Sequence, residues 1–168
     1  MALPLFAESD VLPIFDDWAL AFVHPSTQLA SKYWDSCRGD RVMPILSDLS
    51  LRGMKAFVAD VGLIDVLRHD GTMEFSIRLV GENVRRVFGN IARRDLREVV
   101  PPEGQARWRK GYELSVNAKR RLRVYGTVSF EGKNWLDFES LLAPLGSGDS
   151  VTMLFSVFAS WPRNEPLT

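Results

Sequence analysis

Two apolar runs flank an Asp-Gly pair near the middle of the chain, and that pair restricts the fold more than any other local feature. Val58 to Val66 is β-branched and mostly apolar. After Arg68-His69-Asp70-Gly71, the residues Met73, Phe75, Ile77 and Leu79 alternate with Glu74, Ser76 and Arg78. Asp-Gly supplies the positive φ values of a two-residue turn, so the spacing predicts an antiparallel hairpin.

The last third repeats the strand pattern. Leu122, Val124, Val128 and Phe130 alternate with Arg121, Arg123, Thr127 and Ser129. A turn is expected at Gly132-Lys133, a strand over Trp135 to Ala143, a loop over Pro144 to Ser150, and a closing strand over Val151 to Ser160. Helical signals fill the interval between the two strand regions. Val84, Val87 and Phe88 precede the stop at Gly89-Asn90, Asp95 to Val99 suits one more turn, and Pro101-Pro102-Glu103 opens a helix with Trp108, Tyr112 and Val116 on one face. Strands split by a helical block and closed by a meander indicate an α+β fold with an antiparallel sheet.

Two amphipathic helices are predicted before the hairpin. Val11, Phe15, Trp18 and Phe22 form an apolar stripe over residues 10–22. Ser26 is the expected N-cap of a second helix, with Leu29, Tyr33 and Cys37 inward and Gly39 as its stop. Asp40 to Ser50 is expected to be irregular, and Leu51 to Phe57 to form a helical turn or two. With 168 residues, 46% of them hydrophobic, including ten Phe and five Trp, the chain can build one core rather than remain disordered. The expected division is an extension over 1–25, one domain over 26–162 and a tail over 163–168.

The combination of Tyr33-Trp34, Arg38-Gly39, Arg41, Met43-Pro44 and Asp48 with Asp60, Phe75-Ser-Ile-Arg-Leu-Val-Gly81, Gly89 and Asp95-Leu96 resembles a bacterial subfamily of short, stand-alone PAS proteins. The resemblance spans Gln28 to Trp161. It implies a five-stranded antiparallel sheet with short helices on one face, preceded by N-terminal helices. It also implies a sensory or regulatory role without shared catalytic chemistry: binding a small molecule, a partner protein, or both. With only seven residues after Trp161, output is expected to pass in trans to a separate effector protein. The alternative is an interaction module whose core is filled by large side chains such as Phe130, Trp135, Phe138, Phe155 and Phe158, leaving no space for a ligand.

The residues exclude several chemistries. Cys37 is the sole cysteine, so no internal disulfide forms, and no Cys/His spacing suits a metal. Cys37 precedes the central helices, where a flavin photosensor carries its reactive cysteine. His24 and His69 are likewise misplaced as axial ligands, so neither flavin nor haem is expected and the cofactor is left unspecified. No nucleophile-and-base set or glycine-rich phosphate loop is present, so an enzyme is not expected. The start, MALPLFAESD, lacks the features of a secretory signal and no apolar run approaches a membrane span, which predicts a cytoplasmic protein without membrane insertion.

Formal net charge is zero, which removes the general attraction used by nucleic-acid binders. The balance is uneven, because Gly81 to Val124 holds twelve Lys/Arg against five Asp/Glu. Arg107, Trp108, Arg109, Lys110 and Tyr112 on the long helix, with Lys119, Arg120, Arg121 and Arg123 entering a strand, suggest a small anionic ligand, since guanidinium binds phosphate and carboxylate in bidentate fashion. The competing reading is a solvated basic surface. Arg78, Arg107, Trp108, Tyr112 and Trp135 are the candidate ligand residues. For Arg78, an ion pair with Asp48 or Asp60 competes with a ligand contact. The stripe Val11, Phe15, Trp18 and Phe22 is the candidate homodimer or partner surface.

Overall fold

The computed structural model describes residues 13–100, 102–128 and 132–164. In chain order the elements are β1 (Ile14–Asp17), α1 (Pro25–Arg38), β2 (Val61–His69), β3 (Thr72–Val80), α2 (Glu82–Phe88), β4 (Arg94–Asp95), α3 (Leu96–Val99), α4 (Pro102–Ala118), β5 (Leu122–Thr127), β6 (Leu136–Ser147) and β7 (Ser150–Pro162). All strands join one antiparallel sheet in the order β1-β5-β6-β7-β2-β3-β4. Among the described residues the sheet therefore has seven strands, not the five expected. The expected five are its centre, β5-β6-β7-β2-β3, and the short β1 and β4 are added at its two edges.

The hairpin forms where the Asp-Gly pair places it. Asp70 and Gly71 have φ of 50° and 78°, and His69 pairs with Thr72. A bulge follows: Leu63 faces Leu79 but Ile64 faces Ile77, leaving Arg78 as the extra residue of β3. The alternation predicted for β3 consequently inverts at its end, burying Val80 and exposing Leu79.

Of the two helices expected before the hairpin, only the second is present among the described residues. In place of the first, Ile14 to Asp17 pair with Arg123 to Gly126, and the Asp17 carboxylate then accepts the Ala19 and Ala21 N–H groups, closing a turn that ends the strand. Val11 lies outside the described residues. The second helix, α1, starts two residues earlier than expected: His24 is its N-cap, with Nδ1 accepting the Ser26 N–H, and Gly39 stops it.

The buried face of α1 is also rotated from the predicted one. Ser26, Thr27, Ala30, Ser31 and Trp34 point inward, and Leu29 is exposed. The sheet beneath presents a carboxylate and a carbonyl, which Thr27 Oγ1 and Trp34 Nε1 reach. Residues 51–57 run as successive turns rather than a helix.

The loop predicted over Pro144 to Ser150 is mostly strand, with the turn confined to Gly148-Asp149. Pro144 is tolerated because β5 stops opposite Leu142, so no neighbour on that side needs its missing N–H. Its carbonyl instead accepts the Trp34 indole N–H at 2.8 Å. Both faces of the central strands are covered, by α2, α3 and α4 on one side and by α1 with the 40–57 connector on the other.

Candidate functional site

β6 sorts its side chains between these two layers. Phe138, Ser140 and Leu142 face the α2–α4 side, whereas Glu139 faces α1. On the first side lies a small apolar cavity of about 60 Å³. Gly62, Ile64 and Ile77 contribute to its floor, and Val84, Leu96, Val99, Trp108 and Tyr112 to its roof. Its polar feature is a pair of buried serines, Ser140 and Ser156, whose hydroxyls lie 3.2 Å apart. Tyr112 lines the same space, and burial pushes its phenol well above the ordinary range, so it remains a neutral hydroxyl. An aromatic group closes one flank: Trp108 stacks on Phe138 at 5.4 Å, Phe138 on Phe158 at 5.2 Å, and Phe88 meets Phe158 edge-on at 5.1 Å.

On the opposite face, Glu139 is fully buried and fully engaged. It accepts the N–H groups of Val23 and His24, the Thr27 hydroxyl at 2.5 Å and Arg123 Nε at 2.8 Å. A buried carboxylate requires this set of partners, because desolvation without them costs several kcal/mol. Arg123 also reaches Asp17 at 3.4 Å and covers the Tyr125 ring. Arg121 repeats the arrangement farther along α1, donating to Ser31 and Asp35 while lying over Trp34. Burial alone would raise the Asp17 pKa, but the Ala21 and Ala19 amides and Arg123 bring it below the usual carboxylate range. Asp35 is lowered chiefly by its hydrogen bond from Arg38.

The predicted ligand residues therefore separate. Trp108 and Tyr112 line the cavity; Arg78, Arg107 and Trp135 do not. Arg78 pairs with Asp65 at 2.8 Å rather than with Asp48 or Asp60, which are held by Arg41 and Asn83. Trp135 is exposed just before β6. Arg109 pairs with Glu113 and donates to the Met73 carbonyl, and Lys110 pairs with Asp16 at 3.1 Å, so these cations fasten α4 to itself and to the strands. Of the cations entering β5, Arg120 lies over Trp18, Arg121 reaches α1 and Arg123 reaches Asp17, whereas Lys119 pairs with Asp149 in the β6–β7 turn.

Of the predicted interaction stripe, Phe22 is buried in the chain's own core, Trp18 packs against that core, and Phe15 is exposed while stacking on Tyr125 at 5.3 Å. Cys37 donates to the Asp48 carbonyl. The serine pair and Glu139 went unnoticed in the sequence. Their signal is polar residues inside an apolar strand: Ser156 sits between Phe155 and Val157, and Glu139-Ser140 sit between Phe138 and Leu141.

Among the described residues, no three His, Cys, Asp or Glu side chains group as metal ligands, and no helix is long and apolar enough to cross a membrane. A family model described as a PAS domain matches residues 22–157. No curated protein and no solved structure matches the chain.

Proposed function

Because this chain belongs to the PAS domain family, whose members act as sensory, signalling or interaction modules, we propose that it senses a small, mostly apolar molecule carrying one hydrogen-bonding group and signals in trans to a partner protein. The observation that carries this reading is the adjacency of Ser140 and Glu139. One faces the cavity, and the next residue back along the same strand holds the N-terminus of α1.

The size of the cavity supplies the mechanism. At about 60 Å³ it is smaller than the roughly 150 Å³ that admits benzene. A ligand of more than a few heavy atoms must displace Trp108, Phe88 or the strands as it enters. Close-packed interiors respond by shifting between discrete arrangements rather than deforming smoothly. A shift of β6 at Ser140 moves Glu139 with it, and the Val23, His24 and Thr27 groups bonded to Glu139 carry the movement to α1. Ser140, Ser156 and Tyr112 supply the hydrogen bonds that orient the ligand.

The tightness of the same aromatic group favours a second reading, a ligand-free module that works through its surface alone. Titration with benzyl alcohol, followed by amide NMR, separates them. Sensing predicts saturable shifts at Ser140 and Ser156 followed by shifts in α1. No saturable change at either serine supports the ligand-free module.

A further inference from the structure

A second concavity lies outside the sheet cavity, where the start of α1, the 55–60 segment, α2 and the end of β7 meet. Its volume is about 500 Å³, within the range of small-molecule sites. Phe57, Val58, Val87 and Phe158 form its apolar surface. Its polar residues are unevenly engaged. Asp60 is held by the Asn83 amide at 2.7 Å. Arg86 is mostly exposed and only loosely paired, with Glu82 at 3.7 Å. Lys55 has no carboxylate partner among the described residues.

Two groups at the α1 start border the groove. Ser26 is about nine-tenths buried, and its hydroxyl, which makes no hydrogen bond to any described residue, stays open to the groove. His24 uses Nδ1 to accept the Ser26 N–H, which leaves its ring proton on Nε2. The cations Lys55 and Arg86 outnumber the acid Asp60 in the lining, and Glu139 behind α1 is already matched by Arg123.

We propose that this groove binds a small organic anion, a carboxylate bearing a short apolar arm. The carboxylate lies among Lys55, Arg86 and Ser26 Oγ, and the arm covers Val87 and Phe158. This site is separate from the anion site expected on α4, where Arg109 and Lys110 hold ion pairs with Glu113 and Asp16. Phe158 also lines the sheet cavity, so the two sites share a wall.

The test is an amide NMR titration of the full chain with benzoate, beside benzyl alcohol and inorganic phosphate. Benzoate is expected to shift Ser26, Asn83 and Ser160 saturably. Combining Lys55→Gln with Arg86→Gln is expected to weaken it at least about tenfold, and both residues are exposed enough for the variant to fold. Phosphate should bind more weakly than benzoate. The proposal is overturned if benzoate gives no saturable shift, if the double variant binds it equally well, if benzyl alcohol competes with benzoate for the groove with equal affinity, or if phosphate binds as tightly. Because Ser140 and Ser156 report the sheet cavity separately, failure here is distinguishable from failure of the sensing function.

Discussion

Replacing Glu139 by Gln keeps the shape of the side chain and removes its charge. The oxygen of Gln can still accept from Val23, His24 and Thr27, but its NH₂ then faces Arg123 Nε, donor against donor. Arg123, itself only 9% exposed, is left with Asp17 at 3.4 Å as its ion-pair partner. Removing one member of a buried pair costs about 3–5 kcal/mol. For a chain of this length that corresponds to a fall of roughly 6–20 °C in Tm. Urea unfolding with linear extrapolation gives the free energy directly. Hydrogen exchange should show the loss concentrated in α1, because three of the four groups bonded to Glu139 belong to its start or the residues before it. Adding Arg123→Met removes the stranded cation, so the double variant should be less destabilised than the two single costs added together. A Glu139→Gln variant within about 1 kcal/mol of wild type, with α1 exchange unchanged, would refute the claim that this carboxylate fastens the helix.

Four other perturbations test different parts of the account. Trp108→Ala should cost about 3–5 kcal/mol yet enlarge the cavity, so benzyl alcohol should bind more tightly and recover part of the loss; weaker binding would contradict the assigned lining. Asp17 has a lowered folded pKa, so its stabilisation is present above the unfolded value near 3.9 and is lost as pH falls through the lower folded value. Wild type should therefore lose stability between about pH 4 and pH 2 more steeply than Asp17→Asn, measured by urea midpoints. Arg78→Ala breaks a half-exposed pair with Asp65 and should cost no more than about 1 kcal/mol. Gly81→Ala should be strongly destabilising by thermal unfolding, because an added Cβ would strike the backbone carbonyls of Val58 and Ala59.

The parts legible in the sequence were those with local causes. Asp70-Gly71 sets its hairpin through backbone conformation, Gly39 and Gly89 stop their helices, and the Trp108, Tyr112 and Val116 spacing identifies the inner face of α4. The errors had non-local causes. The stripe from Val11 to Phe22 has helical spacing, but Asp17 gains more by closing a turn and pairing with Arg123 than a short helix would return. α1 turns Thr27 and Trp34 inward because Glu139 and the Pro144 carbonyl wait beneath it, more than 100 residues away in sequence. The bulge at Arg78 inverts the end of β3 without any glycine to announce it.

The family-like residues also have structural explanations. Trp34 anchors α1, the Pro44 carbonyl accepts the Gly146 N–H, Arg41 pairs with Asp48, and Gly81 passes close under the 58–59 backbone. They latch the 38–48 connector and the β3–α2 corner to the sheet. Only Trp108 and Tyr112 of the candidate ligand residues reach the cavity, because cationic side chains advertise themselves in a sequence whereas a cavity floor of Ser, Ile and Gly does not.

Native mass spectrometry of the freshly purified full chain tests the central claim, small-molecule sensing, most directly. The account predicts a mass in which each chain retains a small molecule that denaturation releases. Bare protein that also fails to take up added benzyl alcohol would contradict it.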